Sequence, residues 1–430
     1  MILLETIALT QSAASVTFDN LPTSGYTDLK VVISGRTDRS GQQDDDIKVQ
    51  VNGNTSAIYS QCRVLGNGSA TFSDSSSGSN VGVSFTTGPT ATANTFGSTD
   101  IYIPNYRSST NKSMSVDGVS ENNATAAGAG MNAFLASTTS PITSITFAPL
   151  FGTVFVANST FSLYGIAALG TTPVLAPKAT GGNRIENDGT YWIHTFLTSG
   201  TFTPQVGLTC DYLVVAGGGA GGSFRGGGGG AGGYRTSVGT SGRGASAESA
   251  LSLASGTSIA VTVGAGGAKV STDTPSNPGN NSIFSTITST GGGAGGNASG
   301  SAGNGGAGGG AQGNNVTSGT HTAGLGTTAQ GYDGGTASGS VSPFGGGGGG
   351  GAGAAGGNAS GAAAAGGAGI TSSISSLSTT YGVGGTGGAT AAGNGDGTAS
   401  LGNGGGGGGD TSGSNGNGGS GIVIVRYPIN

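Results

Sequence analysis

The sequence predicts an all-β protein in two parts: an N-terminal antiparallel β-sandwich of jelly-roll type, then a glycine-rich domain of β anchors and packed polyglycine-II-type segments. Three observations carry the expectation. Short period-two or β-branched runs fill residues 1–169, with turn signals between them. Of the chain's 95 glycines, 74 fall in residues 211–430. Strand signals also pass directly into polyglycine. Cys210–Val215 runs into Gly217–Gly219, Ile259–Val263 into Gly264, Ile283–Thr290 into Gly291–Gly293, and Tyr381 into Gly382; Gly418–Gly421 leads out into Ile422–Pro428. The expected domains are residues 1–169, a linker over 170–182, and 183–430.

In the first part the candidate strands are Leu3–Leu9, Ala14–Phe18, Leu29–Ser34, Ile47–Val51, Ile58–Leu65, Val81–Phe85, Asp100–Ile103, Ser113–Val119, Asn132–Ala136, Ile142–Phe147 and Phe161–Ala168. Pro22–Gly25, Asn52–Gly53, Asn67–Gly68 and Asp117–Gly118 read as turns. No ten-residue stretch combines a 3.6-residue period with helix caps. Many short strands with frequent turns read as a sandwich, with Phe147, Phe151, Phe155, Phe161 and Tyr164 as core aromatics. Asp44–Asp46 reads as a solvated loop, because three adjacent carboxylates lack the alternate spacing that wraps a calcium ion.

Pro173 and Pro177 stiffen the expected linker. Beyond it, Tyr191–Phe196 and Thr201–Pro204 flank Thr198–Gly200 and read as a hairpin. Trp192, the sole tryptophan, reads as a packed anchor, and His194 as a hydrogen-bonded strand or surface histidine.

Glycine loses the most backbone entropy on folding, so this composition first suggests a disordered tether. Sparse charge and regular β anchors argue for order instead. Without Cβ, backbones approach closely, and every N–H and C=O is open to a neighbour. Threefold, extended segments rising about 3.1 Å per residue can then pack as a hydrogen-bonded lattice. Collagen is excluded, because the G-X-Y register holds only locally, at Gly300, Gly303, Gly306 and Gly309. The interruptions Ala294, Asn304, Ala307, Asn358 and Ala362–Ala365 are small enough for outer faces.

Charged residues make up only 8% of the chain and the net charge is −5, with no basic stripe for nucleic acid. No run reaches the length of a membrane helix. Met1–Glu5 lacks the features of a signal peptide, so the reading is a chain made in a cytoplasm and not exported by a standard route. Cys62 and Cys210 are expected as reduced, buried thiols. Together with His194 and His321 they make no metal-ligand spacing. Paired acids with sugar-stacking aromatics are missing, and polyglycine satisfies Gly-x-Gly-x-x-Gly by chance. The reading is a non-enzymatic binding or structural protein with no cofactor and no metal.

If the glycines form a rigid block, recognition lies in what interrupts them. The interruptions are Ser223–Arg225, Tyr234–Thr236, Gln312–Thr328, Gly331–Asp333, Ser340–Phe344 and Ile370–Tyr381. The candidate binding residues are Phe224, Arg225, His321, Tyr332, Asp333 and Phe344. Aromatics beside glycine can stack on sugar rings or insert in a protein groove; alternatively they clamp the ends of the block. Clamping is the expectation for Tyr234, between a glycine run and polar Thr236.

Pro177–Gly182, Ile193–Phe196, Thr198–Phe202, Asp211–Gly217, Gly227–Arg235, Val261–Gly267 and Ser420–Pro428, in that order, resemble the glycine-rich domain of bacteriophage tail-fibre and adhesin proteins. The resemblance covers residues 176–430. It implies a virion protein with stacked polyglycine-II helices and loops displayed at one end. The implied partners are other virion proteins, through the N-terminal domain, and a host surface polysaccharide or outer-membrane protein. A homo-oligomer, with a trimer favoured, is implied too, without nucleic acid and without membrane insertion. The large β domain in front departs from tip adhesins. Asn158–Gly165 is similar to β modules of phage structural proteins. Alternatives are a capsid decoration or head-fibre protein, and an ice- or surface-binding adhesin, for which no regular threonine ladder is present.

Overall fold

The computed structural model describes residues 1–19, 21–168, 176–270, 276–298, 300–313, 322–337, 344–388, 395–409 and 415–429. It is all-β, with no α-helix among the described residues. The chain divides into two compact units. Unit 1 comprises Met1–Pro177, Asn183–Thr190 and Ile429–Asn430; unit 2 comprises Lys178–Gly182 and Tyr191–Pro428.

Unit 1 contains β1 (Ile2–Ala8), β2 (Val16–Phe18), β3 (Tyr26–Gly35), β4 (Asp44–Val51), β5 (Tyr59–Gly66), β6 (Thr71–Gly78), β7 (Gly82–Thr87), β8 (Gly97–Ile103), β9 (Lys112–Glu121), β10 (Ala127–Ala136), β11 (Ile145–Pro149) and β12 (Thr160–Ala167). After the two-residue β13 (Ala179–Thr180) of unit 2, β14 (Arg184–Asn187) returns to unit 1 and pairs with β1. The larger sheet runs β14-β1-β12-β3-β8-β9-β10-β5-β6, and the smaller runs β2-β11-β4-β7. With hairpins β5–β6 and β9–β10 set aside, the strands alternate between sheets except at β4–β7, so β1-β12-β3-β8 faces β2-β11-β4-β7 in jelly-roll order. Hairpins β5–β6 and β9–β10 are additions that lengthen one sheet.

Phe18, Phe147, Phe155 and Phe161 are fully buried between the sheets, with Val31, Ile33, Ile47, Val49 and Ile101 around them. Phe18 meets Phe147, and Phe155 meets Phe161, edge to face, the arrangement that the ring quadrupoles favour.

Several expectations are corrected here. Phe151 is exposed rather than in the core, its ring 4.3 Å beneath Arg39. Asp117 and Gly118 lie inside β9 rather than in a turn. Gly118 is required because a Cβ there would sit 1.7 Å from Ser84 Oγ. Asp44–Asp46 opens β4 rather than a loop. Asp45 accepts hydrogen bonds from Phe151 N and Gly152 N, and Asp46 pairs with Arg63. Cys62 is exposed, not buried.

Unit 2 adds β15 (Tyr191–Phe196), β16 (Gly200–Pro204), β17 (Leu208–Val215), β18 (Tyr234–Thr236), β19 (Leu251–Leu253), β20 (Ile259–Thr262), β21 (Ser282–Phe284), β22 (Ile287–Ser289), β23 (Ile370–Ser372), β24 (Thr379–Tyr381) and β25 (Ile422–Pro428). Within it one sheet runs β18-β17-β25-β15, and another β13-β16-β20-β21-β22; β23 and β24 form a hairpin. The expected hairpin between Tyr191–Phe196 and Thr201–Pro204 does not form. β15 pairs with the last strand, β25, while β16 pairs with β13 and β20. Residues 179–180, placed by sequence in the linker, are thus strand.

Candidate functional site

The glycine segments are threefold helices, and the donor pattern shows it. Along residues 216–222, successive N–H groups turn to three different neighbours. Ala216, Gly219 and Gly222 donate to Gly233, Gly230 and Gly227; Gly217 and Ala220 donate to Asn280 and Asn277; Gly218 and Gly221 donate to Gly419 and Gly416. Carbonyls of the same segment accept from 292–295, 405–408 and Gly267, giving six neighbours in all. Segments 226–233 and 345–351 repeat the arrangement. None of their glycines has a positive φ. A polyproline-II-type chain has three residues per turn, so every third amide faces one neighbour.

This packing explains the composition. A Cβ on Gly229 would lie 2.1 Å from Gly219 O, and one on Gly347 2.1 Å from Gly335 O. Ala220, Ala231, Ala307 and Ala311 are nevertheless fully buried, so alanine is not confined to outer faces. Asn304 and Asn358 do lie outside, where their side-chain oxygens accept from Leu325 N and Thr336 N as substitutes for a missing carbonyl.

One end of the block is bound to strands. Ala216, Gly233, Gly264, Gly421 and Gly382 continue directly from or into β17, β18, β20, β25 and β24. Their side chains close a core of Ile193, Leu213, Val215, Tyr234, Tyr381, Ile422 and Ile424. Tyr234 is a buried clamp on β18. Beside this core, His194 is fully buried. Its Nδ1–H donates to Gly181 O at 2.6 Å, and Nε2 accepts from the Tyr427 hydroxyl at 3.0 Å. Burial pulls its pKa down to about 4, against the Gly181 hydrogen bond. It is therefore a neutral structural residue.

At the opposite end residues 222, 226, 296, 313, 388 and 409 are joined by backbone hydrogen bonds around Arg225–Gly227. Here the structure brings together Phe224, Arg225 and Phe344. The Arg225 guanidinium lies 4.9 Å from the Phe344 ring centroid, a cation–π distance. Gln312 Nε2 donates to Phe224 O at 2.8 Å, and Gly313 N to Arg225 O at 3.0 Å. Phe224 and Arg225 have φ of 48° and 54°, left-handed values that cost non-glycine residues about 1–2 kcal/mol each. Both side chains are half-buried.

Tyr332 and Asp333 lie elsewhere, near the strand-bound end, where Tyr332 N donates to Gly351 O. Arg243, which the sequence reading did not single out, holds both. Its guanidinium forks onto the Asp333 carboxylate at 2.8 and 3.1 Å and sits 5.5 Å from the Tyr332 ring. Those hydrogen bonds keep the Asp333 carboxyl below its ordinary range. The only available signal was a charge flanked by glycines at 242–244. His321 lies outside the described residues, as do residues 340–343 of the Ser340–Phe344 insertion. Among the described residues no group of three or more His, Cys, Asp or Glu side chains is placed to hold a metal ion.

No curated protein matches the chain. The family model described as a glycine-rich domain matches residues 196–428, more than half of the sequence and nearly all of unit 2. With a threefold glycine lattice clamped by β strands over those residues, the chain belongs to the glycine-rich domain family.

Proposed function

We propose that the chain is a structural protein of a bacteriophage virion, a tail fibre or receptor-binding adhesin that contacts the host surface without catalysis. In this reading unit 1 attaches to other virion proteins. Unit 2 is a rigid display block whose end away from the strand core, with Phe224, Arg225 and Phe344, meets a host polysaccharide or outer-membrane protein. The assembly is a homotrimer, the symmetry common in fibres.

One observation carries the reading. Two consecutive left-handed positions at the end away from the strand core are filled by Phe224 and Arg225, in a chain where glycine occupies almost every neighbouring position. Glycine would adopt that turn without strain. Strained non-glycine residues gather where their side chains are used, and a turn on a rigid scaffold is a favourable place for recognition.

The test is binding of the full chain to an array of bacterial surface glycans and to whole cells. Phe224→Gly and Arg225→Gly together should relax the turn, preserve the melting temperature and weaken binding at least about tenfold. Unchanged binding by the double variant would refute the assignment of this end. Antibody labelling of particles, read by electron microscopy, tests virion location; label on the head alone would favour a capsid decoration protein.

A further inference from the structure

Of the strands that unit 1 adds to its jelly roll, β5, β9 and β10 send Tyr59, Met114, Val116, Phe134 and Ala136 into its core, and β6 sends none. β7, at the edge of the smaller sheet, packs on β8, β9 and β10. β5 packs on β10 and β6, its neighbours in the same sheet, and β6 on β5. Seven of the eight residues of β6 are exposed, so both faces of the strand meet solvent. Its outer edge has no strand partner among the described residues. Such an edge offers a row of backbone N–H and C=O groups to another chain. Of the usual protections it has one charge, Asp74: Thr71–Gly78 holds no proline, lysine or arginine, and its pairing with β5 has no bulge.

Apolar side chains gather on the same flange. Val64 and Met131, 58% and 69% exposed, are cross-strand partners on one face. They border a groove of about 530 Å³ that also takes in Tyr102, Cys62 and Ala133. Phe72, 54% exposed, pairs with Leu65 on the other face. An added strand would meet Phe72 on one face and the small Ser73 and Ser75 on the other, with Val64 one strand further in.

Negative charge predominates along β6 itself, with Lys48 beyond its end, where its Nζ donates to Asn80 Oδ1. Asp74, in the middle of β6, shares Arg63 with Asp46, so two carboxylates compete for one guanidinium. Asp117 and Glu121 on β9 are exposed and add no positive charge. A second copy fits this edge poorly. Pairing β6 with itself across a two-fold axis keeps the faces matched. That sets Asp74 opposite its symmetry mate or on the diagonal, a repulsive contact.

We propose that the β5–β6 flange is the docking edge for an extended segment of a different protein. The segment adds as an antiparallel strand beside β6. It carries an apolar or β-branched residue that reaches Phe72 and a lysine or arginine beside Asp74, both on one face of β6, with side chains packing over Ser73 and Ser75 on the other. Main-chain hydrogen bonds supply affinity, and the side-chain pockets with the charge supply register. The inference is independent of what unit 2 binds.

The probes are two capped synthetic peptides of alternating valine and threonine, one with a central lysine and one with a central glutamate. Fluorescence anisotropy measures each against the full chain, and hydrogen exchange follows the amides of residues 71–78. The lysine peptide should bind about fivefold more tightly than the glutamate peptide and slow exchange at 71–78. Asp74→Lys should reverse the preference, Asp74→Asn should abolish it, and Phe72→Ser should weaken both peptides. Equal binding of both peptides by the native chain, or no slowing at 71–78, overturns the proposal. So does a dimer by light scattering that Phe72→Ser dissolves, because the occupant would then be a second copy.

Discussion

Substituting alanine for Gly347 tests the lattice directly. The new Cβ would lie 2.1 Å from Gly335 O and 2.9 Å from Thr336 O. Ordinary contact needs more than 3 Å, so the segment at 334–336 must move outward by over an ångström. That segment is held by Gly335 N→Gly348 O at 2.8 Å, Gly334 N→Gly324 O at 3.0 Å and Ala311 N→Gly335 O at 2.9 Å. Losing one or two of these leaves buried donors or acceptors unpaired, at about 1–3 kcal/mol each. The expected loss is about 2–6 kcal/mol, against a total domain stability of about 5–15 kcal/mol. At about 2–4 °C per kcal/mol for a unit of this size, unit 2 should melt roughly 5–20 °C lower. Gly300→Ala is the control: a Cβ there meets nothing within 4 Å, and the change should be neutral or stabilise by up to about 1 kcal/mol. Calorimetry of the full chain reads both, and hydrogen exchange should show residues 345–351 protected in the parent. Rapid exchange there, with Gly347→Ala melting like Gly300→Ala, would refute the lattice.

Acid should destabilise unit 2 through His194. Its folded pKa of about 4 lies below the ordinary 6.5, so the unfolded chain binds the proton first. Stability therefore falls as pH drops from about 6.5 to 4, by about 3 kcal/mol in total, and His194→Gln should flatten that slope in pH-dependent melts. Truncation before Ile422 removes β25 from between β17 and β15; Trp192 fluorescence should shift to the red as unit 2 fails to fold, and an unshifted spectrum would contradict the central place of β25. A thiol reagent should titrate Cys62 alone in the native chain, because Cys210 is buried and its pKa is pushed up to about 12; both should react in denaturant.

Local chemistry in the sequence determined much of this protein. Period-two runs located most strands of unit 1, because a strand with one buried face must alternate. The same rule could not find β6: with both faces in water, Thr71–Gly78 has no reason to alternate, and it is absent from the expected strands. Phe151 was misread as core because an aromatic residue does not announce whether a cation will cover it outside. Glycine content together with sparse charge and recurring β anchors pointed to close backbone approach in the second half. Pairing was decided only in three dimensions. Tyr191–Phe196 looked like half of a local hairpin, yet its partner is the last strand of the chain. The central glycine helices at 216–222, 226–233 and 345–351 each spread their hydrogen bonds over six neighbours, such as Gly221 with Gly416 and Gly228 with Gly347. Identical Gly-Gly-Gly stretches carry no side chains to encode those choices. The strand clamps at one end, with rare residues such as Phe224, Arg225 and Arg243, break the degeneracy, because only they have shape and charge to distinguish one register from the next.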